Sequence, residues 1–232
     1  MKRLAVIPAR EGSKRIPHKN IKNFCGKPMI AHIMAAADDS GLFDTVHVST
    51  DSEKVAAIAG EYGYHPGFLR PTVLADDHTP LMEALRYVVE EFERQGQVFD
   101  TVAILYATSP LTDPEDLKKA CVQFENGDKD KALLSVTPYP APVEKAFRMM
   151  MDGALVPNDE DAFKGRSQEL PPAYHDAAMF CFYTPDFIKA RDGAGDFTRF
   201  GGYVVPSYRV TDIDEPQDWD RAEALFRAVN EE

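Results

Sequence analysis

Short apolar runs alternate with longer amphipathic stretches through most of this chain. LAVIP (residues 4–8) is apolar throughout, the composition of a strand covered on both faces. TVHVST (45–50), TVAILYAT (101–108) and ALLSVTP (132–138) repeat the theme. Helical stretches lie between them. MIAHIMAAADDSG follows Pro28 and stops at Gly41, and SEKVAAIAGEYG (52–63) stops at Gly63. A third begins at Thr79-Pro80, with Leu81, Leu85, Val88, Val89 and Phe92 at helical spacing. A fourth, DPEDLKKACVQFENG, begins at Asp113. This order predicts an α/β fold: a mainly parallel sheet with helices on both faces, Rossmann-like in its layering.

The rhythm breaks at residues 138–176, which hold Pro138, Pro140, Pro142, Pro157, Pro171 and Pro172 and no long helical period. This reads as an insertion of short strands, a small extended arm on a single domain of residues 1–232. AMFCFY (178–183) resumes the sheet, TPDFIKA is a short helix, YVVP and YRVTDID are late strands, and PQDWDRAEALFRAV closes the chain as a helix. A chain of 232 residues buries roughly 70% or more of its unfolded surface, so its core needs no staples. Cys25, Cys121 and Cys181 are far apart and form no CxxC pair, which argues against a zinc site or a disulfide framework. The expectation is a cytoplasmic protein, because the first apolar run is too short for a signal peptide and no run approaches a membrane span. A formal net charge of −12 makes nucleic acid an unsuitable partner.

Against that acidity, residues 1–22 carry seven basic residues (Lys2, Arg3, Arg10, Lys14, Arg15, Lys19, Lys22) and one acid, Glu11. Most of them fall just after the first strand, where open α/β sheets bind ligands. Gly12, beside Ser13, can turn so that backbone N–H groups converge on an anion. Arg10, Lys14, Arg15 and Lys19 can then add charge-assisted contacts to a polyphosphate. The loop is neither G-x-x-x-x-G-K-[ST] nor G-x-G-x-x-G, which sets aside P-loop and dinucleotide chemistry. On charge alone, a solvated basic loop is the competing reading.

IPAREGSKRIPHKN (7–20), continued as IKNFCGKPMI, closely resembles the amino-terminal signature of the CMP-sialic acid synthetase family, the nonulosonate cytidylyltransferases. VSTDSEKVAAIAGEYG, FLRPTVLADDHTP, LYATSPL, RSQELPPAY and VTDIDEPQDW follow in the family's order, so the resemblance spans essentially the whole chain. Tyr106 and Ala107 in LYATSPL, and AYHDA at 173–177, resemble the pseudaminic acid branch, whereas Ala178, Met179 and Cys181 depart from its usual AYHDAGQFYW. The resemblance implies a nucleotidyltransferase fold and a reaction joining CTP to the anomeric hydroxyl of a nine-carbon α-keto sugar acid. The products would be a CMP-sugar, for surface or flagellar glycosylation, and pyrophosphate. Such a reaction needs positioning, Mg²⁺ and neutralisation of the leaving group.

Site residues follow from the same match. Arg10 and Lys19 correspond to phosphate-holding residues, and Ser13, Asn20, Arg70 and Thr79 to the nucleotide's surroundings. Asn20 can instead cap a turn, and Thr79 can instead cap the helix after it. Asp212 and Asp214 correspond to the family's metal-binding aspartates, and their i, i+2 spacing on an extended segment puts both on one face, as Mg²⁺ requires. Asp51 is as well read as a helix cap. Tyr106, Lys145, Arg166 and His175 match the sugar side, with a structural histidine as the alternative for His175. No Ser–His–Asp order or reactive cysteine context suggests a covalent intermediate.

The resemblance also implies a homodimer in which the 138–176 arm reaches the neighbour's sugar site. Exposed Phe147, Met149, Met150, Met151 and Leu155 on a lone arm agree with that. Competing readings are the same reaction on N-acetylneuraminic, legionaminic or eight-carbon acids, a glycosyltransferase that binds a sugar nucleotide, and a non-catalytic nucleotide sensor. A D-x-D near the chain's end and a basic loop suited to a triphosphate disfavour the glycosyltransferase. A sensor has little reason to keep both aspartates.

Overall fold

The computed structural model describes residues 1–76, 79–190 and 197–230. Asp77 and His78, within the FLRPTVLADDHTP stretch, lie outside the described residues. The chain starts with β1 (Arg3–Pro8), then a two-stranded ribbon of β2 (Asn23–Phe24) and β3 (Lys27–Pro28), and helix α1 (Met29–Ser40). Helix α1 ends at Gly41, whose φ of 61° needs a residue without a Cβ. β4 (Thr45–Ser49), α2 (Glu53–Glu61), α3 (Leu81–Arg94), β5 (Thr101–Leu105), α4 (Pro114–Asn126) and β6 (Ala132–Pro138) complete the regular alternation. The arm contributes β7 (Phe147–Met149) and β8 (Leu155–Pro157), after which come β9 (Tyr174–Tyr183), α5 (Pro185–Lys189), β10 (Phe200–Val204) and α6 (Pro216–Asn230).

The main sheet has strand order β10-β6-β9-β5-β1-β4. β1 runs parallel to β4 and β5, and β10 parallel to β6, while β9 is antiparallel to both its neighbours. The reversal has a simple cause. No crossover helix separates β6 from β9, and a chain that returns without one pairs antiparallel.

Alternation along the strands sorts the core. Ala5, Ile7, Ala103 and Leu105 point to the face covered by α1, α2 and α4, where Ile33, Val55 and Phe124 are buried. Leu4, Val6, Val102 and Ile104 point to the other face, against Leu85 and Val88 of α3 and Ile188 of α5. A smaller cluster joins Ile16, Phe24, Met29, Ile213 and Trp219, docking α6 beside α1.

Two expectations need correction. YRVTDID is not a strand: Ser207–Arg209 is a 3₁₀ turn, and residues 210–214 pair with no strand. A strand there would lie beyond β10, and Pro206 breaks the ladder one residue after Val205 N–H donates to Val136 O at 2.8 Å. The arm is also shorter than residues 138–176, because β9 begins at Tyr174 and pairs with Pro138. Between Leu134 and Val136 the β9 register slips, with Ala178 at a φ of 49°. Buried Ser135 plugs this bulge, its Oγ accepting from Met179 N and Phe180 N at 3.3 and 3.1 Å.

Candidate active site

Because β1, β4 and β5 are parallel, their carboxyl ends share one edge of the sheet. The segments leaving that edge enclose a cleft of about 640 Å³. Its walls include Arg10, Ser13, Lys19 and Asn20 after β1, Arg70 and Thr79 after β4, Tyr106 after β5, and Asp214 from the chain's end. The basic loop therefore lines a cavity.

The loop is held by ties the sequence did not advertise. Its lone acid, Glu11, docks on α2: Ser52 Oγ donates to Glu11 Oε2 at 2.6 Å, while Lys54 Nζ lies 3.8 Å from Oε1. The Ser52 bond, then these cations, hold the Glu11 carboxyl below its usual range. Asn20 Nδ2 donates to Arg10 O at 2.8 Å and pins the two ends of the loop together, so its amide acts within the loop rather than on a turn that follows. Ile16 is buried with Ile213, which brings the loop's cations against the two aspartates. Gly12 is not left-handed; the left-handed residue of this loop is His18, at a φ of 55°. The expected glycine-centred turn is therefore not formed, and the loop presents side chains instead.

On the far wall, Arg70 is only 7% exposed, and its backbone N–H donates to Thr50 O at 2.8 Å. Arg70 Nε has no hydrogen-bond partner among the described residues. Burial lowers its pKa, Asp51 opposes that, and Arg10 lowers it further. Asp51 does not cap α2. That role belongs to Ser52, whose Oγ accepts from Val55 N at 3.3 Å, and the buried Asp51 Oδ1 lacks a hydrogen-bond partner. Nor does Thr79 cap α3, since Pro80 occupies the cap position; Thr79 Oγ1 donates to Val73 O at 3.2 Å and lies 2.7 Å from Asp76 Oδ1.

Asp212 and Asp214 flank the buried Ile213 and so both point away from the core. Asp214 Oδ1 stands 2.9 Å from Arg15 Nη2 and 3.4 Å from Lys19 Nζ, and Lys19 Nζ also donates to Ile213 O. Partial burial, then the charge of Asp214, raises the pKa of Asp212. No group of three or more His, Cys, Asp or Glu side chains suited to a metal occurs among the described residues, so any ion here must share ligands with substrate or water.

Tyr106 forms the floor beside β9, its N–H donating to Met179 O at 3.0 Å. Burial raises its pKa, and the charge of Asp176 adds to the effect. The remaining sugar-side residues are elsewhere. Lys145 Nζ donates to Gly165 O at 2.8 Å within the arm, Arg166 is exposed, and His175 packs its ring 4.8 Å from Tyr139. None of the three lines the cleft of its own chain. The cleft also includes residues that the sequence reading placed at no site, Leu74, Ala75, Ala84 and Thr108 among them; being uncharged, they carried no charge signal.

No helix among the described residues is long and apolar enough to cross a membrane. Comparison with known proteins identifies the family. The chain is 38% identical over its full length to the pseudaminic acid cytidylyltransferase of Campylobacter jejuni, covering 99% of that protein. It is 39% identical, again over its full length and 99% of the relative, to the CMP-N,N'-diacetyllegionaminic acid synthase of Legionella pneumophila. The structure of CMP:2-keto-3-deoxy-manno-octonic acid synthetase complexed with CTP superposes with a TM-score of 0.75 at 17% identity, covering 99% of this chain and all of that one, and attests the fold. A family profile described as cytidylyltransferase matches residues 4–189, and with it and the full-length relatives the chain belongs to the cytidylyltransferase family.

Proposed function

We propose that this cytidylyltransferase joins CTP to the anomeric hydroxyl of pseudaminic acid, a nine-carbon α-keto sugar acid, giving the CMP-sugar and pyrophosphate. The supporting observation is the convergence of Arg10, Lys19 and buried Arg70 on one cleft at the carboxyl edge of the sheet. A buried guanidinium with an unpartnered Nε is costly unless an anion completes it, and a nucleotide phosphate or base acceptor does so. In the reaction the sugar hydroxyl attacks the α-phosphorus in line. The new O–P bond forms, the hydroxyl proton departs, and the bond to the pyrophosphate oxygen breaks. Arg10 and Lys19 hold the phosphates, Ser13, Asn20 and Thr79 line the nucleotide, and Tyr106 faces the sugar.

Asp212 and Asp214 fit a magnesium ion: they offer hard oxygens on either side of buried Ile213, and the Asp212 carboxyl is raised by partial burial and then by the charge of Asp214, a setting a divalent cation favours. When bound there, the ion supplies charge neutralisation at the phosphates. Lys145 and Arg166 then serve the sugar from a second copy's arm, with His175 beside that arm's base at the start of β9, making the enzyme a homodimer. Exposed Met149, Met150 and Met151 support that reading. The pseudaminic branch rests on LYATSPL and AYHDA. Legionaminic acid is the second reading, because a synthase for its diacetyl form is equally similar overall. The product would feed surface or flagellar glycosylation in the cytoplasm.

The test is pyrophosphate release with CTP and Mg²⁺ against pseudaminic, legionaminic and N-acetylneuraminic acids in parallel. Release with pseudaminic acid is expected. Release with another sugar alone moves the branch. Silence with all three, from folded protein that binds CTP, overturns the reaction.

A further inference from the structure

The segment that carries Asp212 and Asp214 is not a strand, so something other than a sheet ladder must hold it. Val205 is its last residue tied to the sheet: its N–H donates to Val136 O, and its carbonyl accepts from Thr137 Oγ1 at 3.1 Å. From Pro206 to Asp212, among the described residues, backbone bonds are local, Arg209 N to Pro206 O and Val210 N to Ser207 O. The end of the segment is seated by buried Ile213, by Lys19 on its carbonyl and by Asp218 on the Asp214 N–H; ahead of it, one side chain makes the tie. Arg209 Nη1 donates to Asp113 Oδ2, and Nη2 stands 2.8 Å from Asp116 Oδ2, an ion pair whose angle falls short of a hydrogen bond.

Arg209 and Asp116 are nearly enclosed, their side chains 12% and 9% exposed, while Asp113 on the outer side is 39% exposed. Tyr203 Oη of β10 donates to Asp116 Oδ1 at 2.9 Å, and Asp113 Oδ1 caps α4 through Glu115 N at 2.8 Å. Three elements thus meet on one guanidinium: the start of α4, the edge strand and the turn before the aspartates. Buried ion pairs add little net stability, because desolvation offsets attraction, yet they fix geometry when both partners are held. Asp113 and Asp116 are held by the helix they begin. Arg209 is three residues from Asp212.

We propose that Arg209 is a positioning residue that sets where Asp212 and Asp214 stand relative to the phosphate loop. The inference rests on the reading of those aspartates as metal carboxylates. Arg209 touches neither substrate nor cleft, and acts through the segment it pins.

Trp219 is the chain's single tryptophan and is buried beside Ile213, which makes its fluorescence a local reporter. The experiment compares wild type with Arg209→Met, Arg209→Lys and Asp116→Asn. It reads Mn²⁺ quenching of Trp219 without nucleotide, CTP binding in EDTA, and the rate of CTP consumption. Arg209→Met is expected to need several-fold more Mn²⁺ for half quenching and to lose about tenfold in kcat, with metal-free CTP affinity within twofold of wild type. Arg209→Lys, keeping the charge without the fork, should fall between. If Arg209→Met fails to fold, Asp116→Asn carries the same expectation through the partner. Unchanged quenching and kcat in a folded variant with a lower Tm would overturn the proposal, leaving Arg209 a stability element. CTP affinity in EDTA falling in step with kcat would overturn it too, since the cleft as a whole would then have moved. Asp212→Ala separates the two readings: if it leaves Mn²⁺ quenching intact, the metal reading fails, whatever Arg209 does.

Discussion

The loop at residues 10–20 and the arm between β6 and β9 both lack long regular elements, and they are held in opposite ways. Ile16 seats the loop in a buried cluster, Glu11 ties it to Ser52 and Asn20 closes it on Arg10, all within one chain. The arm has few such ties. Met149 is 75% exposed, Phe147 leans on Phe163, itself exposed, and Lys145 is used up on Gly165. Single solvent-facing apolar residues need no explanation, but this many on one short hairpin support the proposed contact with a second copy. On our reading the nucleotide half of the site is built from one chain, and the sugar half is completed by a second.

The largest expected effect tests the self-contained half. Lys19→Ala and Asp214→Ala should each lower turnover by about a hundredfold or more at saturating substrates, since both act where charge develops in the transition state. A loss below tenfold, from folded protein, would mean the cleft is not where the chemistry happens. On the arm, Met149→Asp with Met151→Asp should convert the dimer to monomer by light scattering. The sugar KM should rise about tenfold while CTP affinity holds, in line with loss of a few oriented contacts. A monomer with unchanged sugar KM would break the comparison.

Smaller effects sharpen it from the fold's side. His47 of β4 is buried, stacks on Phe68 at 4.4 Å, and has an unpartnered Nε2. Burial lowers its pKa from 6.5 to about 4. The folded protein therefore binds this proton less readily than the unfolded chain, so stability is full above pH 6.5 and falls as pH drops towards 4. Between pH 7 and pH 5 the loss is about 2 kcal/mol, and denaturant melts of wild type and His47→Leu should differ in pH slope by that amount. Equal slopes would reject it. Smallest is Ala178→Gly, where a left-handed φ of 49° at the root of the arm costs a Cβ; the variant should gain up to about 1 kcal/mol in the same melts.

The legibility of the sequence divides along the same line. Apolar runs flanked by helical spacing revealed β1, β4, β5 and β6 and their helices, because strands covered on both faces leave an unbroken apolar signature. Charge concentrated after β1 pointed to one wall of the cleft. YRVTDID misled because extended backbone has the same alternation whether or not it pairs, and Pro206 was the only hint against a ladder. Arg209 gave no signal, since its partners lie some 90 residues away on α4 and become neighbours only through the fold. Lys145, Arg166 and His175 came from resemblance alone, and a single chain gives them no cleft to line.

The most direct measurement mixes two inactive chains, Arg166→Ala and Asp212→Ala, by co-expression and assays pyrophosphate release. If each site takes its carboxylates from one chain and its arm from the other, random pairing restores about one quarter of wild-type activity. No recovery, from a mixed dimer demonstrated by differential tagging, would contradict the division of labour between loop and arm.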